Sequence, residues 1–160
     1  MKDEKTNVMR ILEQKKIPYT PHSYPHPDGA VDGESIARLT GQDPAKVFKT
    51  LVTVGASRTN YVFVIPVARE LDLKKAAKAV GEKSIAMLHL NLLTPLTGYV
   101  RGGCSPVGMK KQLRTVFDAS ALEQEHILVS AGKIGAQIEI APADLISLVR
   151  GITADITIKE

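Results

Sequence analysis

The sequence predicts an α+β domain built on a curved, mixed β-sheet with helices on its flanks. Three observations carry this. Segments rich in Val, Ile and Thr crowd the middle of the 160-residue chain, and segments with helical spacing lie before, between and after them. Strand and helix signals do not alternate regularly, as they would in a parallel βαβ sheet. With no Trp, three Phe and four Tyr, the interior has to be built from Val, Ile, Leu and Ala. The length suits one domain, spanning residues 1–160, with a core of its own.

The elements follow in order. In "EKTNVMRILEQKKI", Val8, Ile11 and Leu12 recur near helical spacing, and Pro18 sets the end of that helix. "PYTPHSYPHPDGAVDG" is too rich in Pro, Gly and Asp for a helix and predicts an extended strand followed by a loop. "ESIARLTG" is a short helix stopped by Gly41. "DPAKVFKTLVTV" begins with a turn and becomes a strand, and "TNYVFVIPV" follows "GASRT" as its hairpin partner. "LDLKKAAKAVG" is the clearest helix, with Ala76, Ala77 and Val80 suited to packing and Gly81 as its stop. A second short helix covers 91–96. "LRTVFD", "HILVSAG" and "AQIEIA" predict an antiparallel meander, "APADLISLVRG" a helix with Pro142 near its first position, and "ADITIKE" a last strand.

Composition narrows the function classes. The single cysteine excludes an internal disulfide and, with the polar start "MKDEKTNVMR", points to the cytoplasm. No apolar run reaches the roughly 20 residues that span a bilayer, so no membrane partner is expected. Bases outnumber acids 21 to 17, a net charge of +4. That excess permits a polyanion such as RNA without requiring one. The lysine-rich clusters "KVFK", "LKKAAK" and "RGGCSPVGMKKQLR" are, taken singly, ordinary solvated surface.

Two places could carry chemistry. "GYVRGGCSPVGMKK" holds four of the 12 glycines, the only cysteine and three cations. Cys104 as a nucleophile needs a base, which His89 or His126 could supply only if the fold brings one close. Ser105 precedes Pro106 and lacks the G-x-S-x-G elbow. The reading that fits best is a backbone loop. Gly102 and Gly103 admit close approach, and their N–H groups could face a carbonyl oxygen or a developing oxyanion. The second place is Lys49 in "KVFKTLV". Alternation puts it on the face of Val47 and Leu51, so it either snorkels from the sheet edge or points into a pocket. Neither a GxGxxG strand–helix turn nor a P-loop occurs, so no cofactor is expected. His22 and His26 lie four apart, but Pro21, Pro25 and Pro27 forbid the helix that would make them metal ligands, so no metal is expected either.

Taken together, "VFKTLV", "VIPVARELDLKKAAKAVGEKSIAM", "LTGYVRGGCSPVGMKK" and "ILVSAGKIGAQIEIAPADL" resemble, in collinear order over about residues 17–148, the YbaK/EbsC family of aminoacyl-tRNA deacylases. That family is related to the editing domain of bacterial prolyl-tRNA synthetases. The resemblance implies a barrel-like mixed sheet and trans-editing hydrolysis of mischarged tRNA. Cys-tRNA(Pro) is the first candidate substrate, with Cys-tRNA(Cys) beside it. Ala-tRNA(Pro), another small aminoacyl ester, or a non-catalytic synthetase- or RNA-binding module are the alternatives. Implied partners are the tRNA itself and a prolyl-tRNA synthetase that delivers it, and not DNA.

Carried over by motif, the family's strand lysine is Lys49 with Thr50 beside it. The GxxxP loop is Gly102 to Pro106, including Gly103 and Ser105; the pocket serine is Ser130, the acidic residue Asp144 and the tyrosine Tyr24. Val31 takes the place of an aromatic in a shorter loop, which leaves the amino-acid specificity open. Lys49, Gly102 and Gly103 would be catalytic. Arg101, Lys110, Lys111 and Lys133 flank the two loops and would meet tRNA phosphates. In cysteine-specific members of the family the substrate thiol attacks its own ester carbonyl and leaves as a cyclic thiolactone, which makes Cys104 a bystander.

Overall fold

The computed structural model describes residues 5–159. Its helices begin and end where the sequence supplies caps. The Thr6 hydroxyl accepts from the Met9 amide at 3.3 Å and starts α1 (Asn7–Gln14), which buries Val8, Met9 and Leu12. Strand β1 (Thr20–Ser23) follows. Asp32 accepts from the Ser35 amide at 2.9 Å to start α2 (Gly33–Thr40), and Gly41 ends it with φ 69°, a conformation glycine adopts without a Cβ clash. A 3-10 turn at Pro44–Lys46 leads into the hairpin of β2 (Phe48–Gly55) and β3 (Asn60–Pro66). Asp72 accepts from the Lys74 and Lys75 amides to start α3 (Leu73–Val80). Then come β4 (Ile85–Met87), α4 (Leu90–Thr97), β5 (Arg114–Asp118), β6 (Ile127–Ser130), β7 (Ala136–Ile140), α5 (Pro142–Leu148) and β8 (Ile152–Ala154).

The strands form two sheets, so the architecture is α+β with mixed pairing, as expected. The larger has the order β4-β2-β3-β5-β8, antiparallel from β4 to β3 and parallel from β3 to β8. The smaller, β1-β7-β6, is antiparallel. A bridge between Val47 and Leu128 ties the two together. Among the described residues neither sheet closes on itself, so the expected barrel is corrected to two sheets that share one bridge.

Three strand expectations also change. The second and third members of the predicted meander pair as β6 and β7, but "LRTVFD" leaves them and runs parallel to β3 as β5. The last strand, Ile152–Ala154, meets the predicted segment only at Ala154. Strand β4, only three residues long, was not expected. The first is an error of partner choice, which periodicity does not encode, and the other two concern strands of three residues, too short to show a period.

Both faces of the larger sheet are buried. Phe48, Val52, Val62, Val64 and Phe117 meet Val129, Ile138 and Ile140 of the smaller sheet, with Val8 and Leu12 of α1. The alternate residues Tyr61, Phe63, Ile65 and Val116 meet Ala76, Ala77 and Val80 of α3. This period-two division explains why the hairpin sequence is so continuously apolar. A small third cluster of Ala37, Val47, Val67 and Leu128 fixes α2 beside the bridge between the sheets.

Candidate active site

Strand β2 changes neighbours along its length. On the edge away from β3, Val47 just before the strand bridges to Leu128 of β6, and Thr53–Gly55 pair with β4, where the Leu88 amide also reaches the Val52 carbonyl. Between these points the edge is uncovered, and a pocket of about 120 Å³ opens there. Lys49 and Thr50 come from β2, Gly102 and Cys104 from the glycine loop, Ser130 from the end of β6 and Gln137 from β7. Tyr24, Val31 and the start of α2 close the remaining side. Helix α2 sits tightly there: a Cβ on Gly33 would lie 2.4 Å from Val67 Cγ1.

Lys49 is partly buried, and its ammonium donates to the Val67 carbonyl at 3.3 Å. Burial pushes its pKa down, and the carboxylates of Glu70 and Glu34 oppose that. The remaining ammonium hydrogens are free for a ligand among the described residues. Thr50 and Gln137 are more telling. The Thr50 Oγ1 and Gln137 Oε1 atoms are buried and have no hydrogen-bond partner among the described residues. Both residues line the same pocket, so a ligand or water held there can supply the missing bonds. Ser130 Oγ accepts from the Gly132 amide at 3.1 Å, which leaves its own hydrogen for the pocket.

The glycine loop divides in an unexpected way. The Gly103 amide donates to the Val100 carbonyl at 3.0 Å, so it closes a turn and is not offered to a ligand. A Cβ on Gly103 would meet Ile134 N at 2.9 Å and Lys133 C at 2.9 Å. This glycine therefore serves loop-on-loop packing. The expectation that its amide faces the substrate is corrected: of the loop residues that line the pocket, Gly102 and Cys104, neither amide has a protein acceptor among the described residues. Gly102 has φ 86°, and a Cβ there would lie 2.8 Å from the Ala30 Cβ.

Burial pushes the Cys104 thiol up to about 12, which disfavours the thiolate that nucleophilic attack needs. His89 and His126 do not line the pocket. Cys104→Ala is expected to keep most of the activity at neutral pH. A loss of several hundredfold in single-turnover rate would restore the cysteine to the chemistry.

Of the other residues singled out in the sequence, Ser105 and Pro106 are buried behind the loop, with Ser105 Oγ accepting from the Val107 amide at 3.2 Å. They shape the loop and do not line the pocket. Asp144 is in the first turn of α5 and is also absent from the wall, so the pocket has no carboxylate there. The buried polar group opposite Ser130 is Gln137, its register partner across β6 and β7. Sequence reasoning missed it because "AQIEI" alternates, which puts Gln137 on the strand face that reads as solvent. Arg101, Lys110, Lys111 and Lys133 are exposed and without an acidic partner among the described residues.

Residues 28–148 match the model of the aminoacyl-tRNA editing domain, which spans the β2 lysine, the glycine loop and Gln137. The chain belongs to that family. The chain is also 50% identical over 157 residues to EbsC of Enterococcus faecalis, named as a proposed Cys-tRNA(Pro)/Cys-tRNA(Cys) deacylase. The match covers 98% of this chain and 96% of the relative, so the YbaK/EbsC resemblance holds over nearly the whole length. Among solved structures, a proposed trans-editing enzyme for prolyl tRNA synthetase superposes with a TM-score of 0.80 at 25% identity, covering 95% of each chain. A hypothetical protein superposes with a TM-score of 0.85 at 22% identity, covering 94% of this chain and 99% of its own, and supports the fold alone. No described helix of the editing domain is long and apolar enough to cross a membrane.

Proposed function

We propose that this editing domain deacylates Cys-tRNA(Pro) in trans, with the substrate's own thiol as nucleophile. The observation that carries the reading is the pair of orphaned polar atoms, Thr50 Oγ1 and Gln137 Oε1, in a small pocket beside the Lys49 ammonium. An α-ammonium group would supply the hydrogens that Gln137 Oε1 lacks, and the short side chain of cysteine suits the confined volume. A synthetase pocket shaped for proline rejects smaller amino acids poorly, which is why a separate site has to remove them. The name of the Enterococcus relative agrees with this substrate.

The chemistry asks little of the protein. The Gly102 and Cys104 amides can stabilise the oxyanion as the ester carbonyl is attacked, and Lys49 neutralises charge on the nucleotide side of the ester. Holding the thiol against its own carbonyl supplies the rest. In this reading the protein supplies no nucleophile, which agrees with burial raising the Cys104 thiol and with the absence of a described histidine from the pocket wall to activate Ser130 or Thr50.

The test is a panel of Cys-, Ala- and Pro-tRNA(Pro) incubated with the pure protein. Cysteine should be released fastest and proline retained. Decay of Cys-tRNA(Pro) at the buffer rate would overturn the activity, and faster release of alanine would move the specificity to Ala-tRNA(Pro). Most of the binding energy for the tRNA body comes from phosphates, so the exposed cations matter there. Neutralising Lys110 and Lys111 together should weaken tRNA binding and reduce its log–log salt slope by about one to two. The rate at saturating substrate should change little. An unchanged slope would mean that the tRNA lies across another face or is delivered by a synthetase.

A further inference from the structure

On the far side of the Gly102–Cys104 ridge lies a second groove, of about 310 Å³, which shares Thr50, Gly102 and Cys104 with the aminoacyl pocket. Its other walls are mostly aliphatic and come from Leu51 and Val52 of β2, Met87 of β4, Leu88, and Leu90 and Leu93 of α4. Met87 and Leu90 are 49% and 58% exposed, and Leu93 lies deeper. Arg101 is the one charged residue among those lining it. Resting on the deacylase reading, we propose that this groove holds the 3′-terminal adenosine of the tRNA, with Met87 and Leu90 against the base and Arg101 toward the adjoining phosphate.

The argument is one of connectivity and chemistry. The ester joins the amino acid directly to the terminal ribose, so the nucleoside has to begin within a bond or two of the aminoacyl pocket. The shared ridge carries the Gly102 and Cys104 amides, neither with a protein acceptor among the described residues, which is where an ester straddling both cavities would put its carbonyl. A purine offers two broad, weakly polar faces, and aliphatic and thioether side chains cover such faces well. A guanidinium pairs with phosphate in a forked geometry. The rival groove runs past Lys5, His22, His26 and Lys133 and shares only Tyr24 with the pocket. It is more polar and farther from the ridge in connectivity. Exposed Leu and Met side chains gathered at one cavity mouth are, moreover, what a ligand-covered patch looks like on a small protein.

The chain's four methionines make this measurable. In protein labelled with ¹³C at the methionine methyls, Met87 reports on the proposed groove, Met9 on the rival groove and Met109 on the core. Titration with the trinucleotide CCA should move the Met87 resonance saturably and leave Met9 and Met109 in place, whereas CCC should leave all three unmoved. A Met87→Ser/Leu90→Ser variant should raise KM for Cys-tRNA(Pro) about tenfold, a 1.4 kcal/mol loss, with kcat retained. The proposal falls if Met9 moves and Met87 does not, if none of the three moves, if all three move together, or if CCC acts like CCA. Binding of CCA needs no hydrolysis, so a protein that binds it at Met87 yet fails to deacylate would overturn the activity and not the groove.

Discussion

Lys49→Ala is expected to lower deacylation of Cys-tRNA(Pro) by about 10²–10³, the range found for removing one group that stabilises a transition-state charge. The fold should survive. Lys49 bonds only the Val67 carbonyl, and burial already disfavours its charge. The uncharged Lys49→Met should therefore match the native melting temperature or exceed it while losing activity to the same extent. Lys49→Arg should not rescue the rate, because a planar fork does not replace a compact ammonium in a confined site.

The pH dependence has a definite sign. The folded-state pKa of Lys49 lies below the ordinary lysine value of 10.5, from desolvation, with Glu70 and Glu34 limiting the drop. The ammonium is present at neutral pH and is lost on the alkaline side earlier than from a free lysine. Activity that depends on it should fall as pH rises toward 10.5. The folded state sheds this proton before the unfolded state does, so the same group makes a stability contribution that improves with pH through that window. A melting temperature reduced by more than a few degrees in Lys49→Met would make the residue structural and sink its role in the site.

Gly103→Val is expected to damage both stability and activity, for a reason the sequence did not suggest. The first added carbon would lie 2.9 Å from backbone atoms of Lys133 and Ile134, and backbone cannot step aside as a side-chain tip can. Forcing the loops apart should cost about 1–3 kcal/mol, as overpacking generally does, and should displace Gly102 and Cys104 from the pocket wall. Thermal denaturation and single-turnover kinetics on the same sample would check it. A Gly103→Val protein with native melting and native rate would mean that the loop does not pack as described.

The sequence made the local elements legible and the site partly so. Helices α2 and α3 were readable because Gly41 and Gly81 mark their ends chemically; the Asp32 and Asp72 caps at their starts emerged only with the structure. The hairpin of β2 and β3 was readable because both of its faces are buried and its residues are β-branched. The partner of β5 was not, since its alternation is the same whether it runs beside β3 or beside β6. Lys49 stood out as a cation in an apolar strand, and its place in the pocket follows from the edge left uncovered between β6 and β4. The glycine loop was recognised, but which amide is free depends on the Gly103–Val100 bond, a detail of tertiary geometry. Gln137 was hidden because burial of a polar strand face is decided by what covers it, here the loops that complete the pocket.

The claim at the centre of this account is that the reacting thiol belongs to the substrate and not to the protein. Cys-tRNA(Pro) and Ser-tRNA(Pro) differ by sulfur against oxygen in one side chain, and both should fit the same pocket. Their single-turnover rates, measured side by side with saturating protein at neutral pH, separate thiol attack from attack by water. The account predicts release of cysteine at least about tenfold faster than serine, a difference of 1.4 kcal/mol or more in barrier. Equal rates for the two esters would contradict it and assign the attack to water.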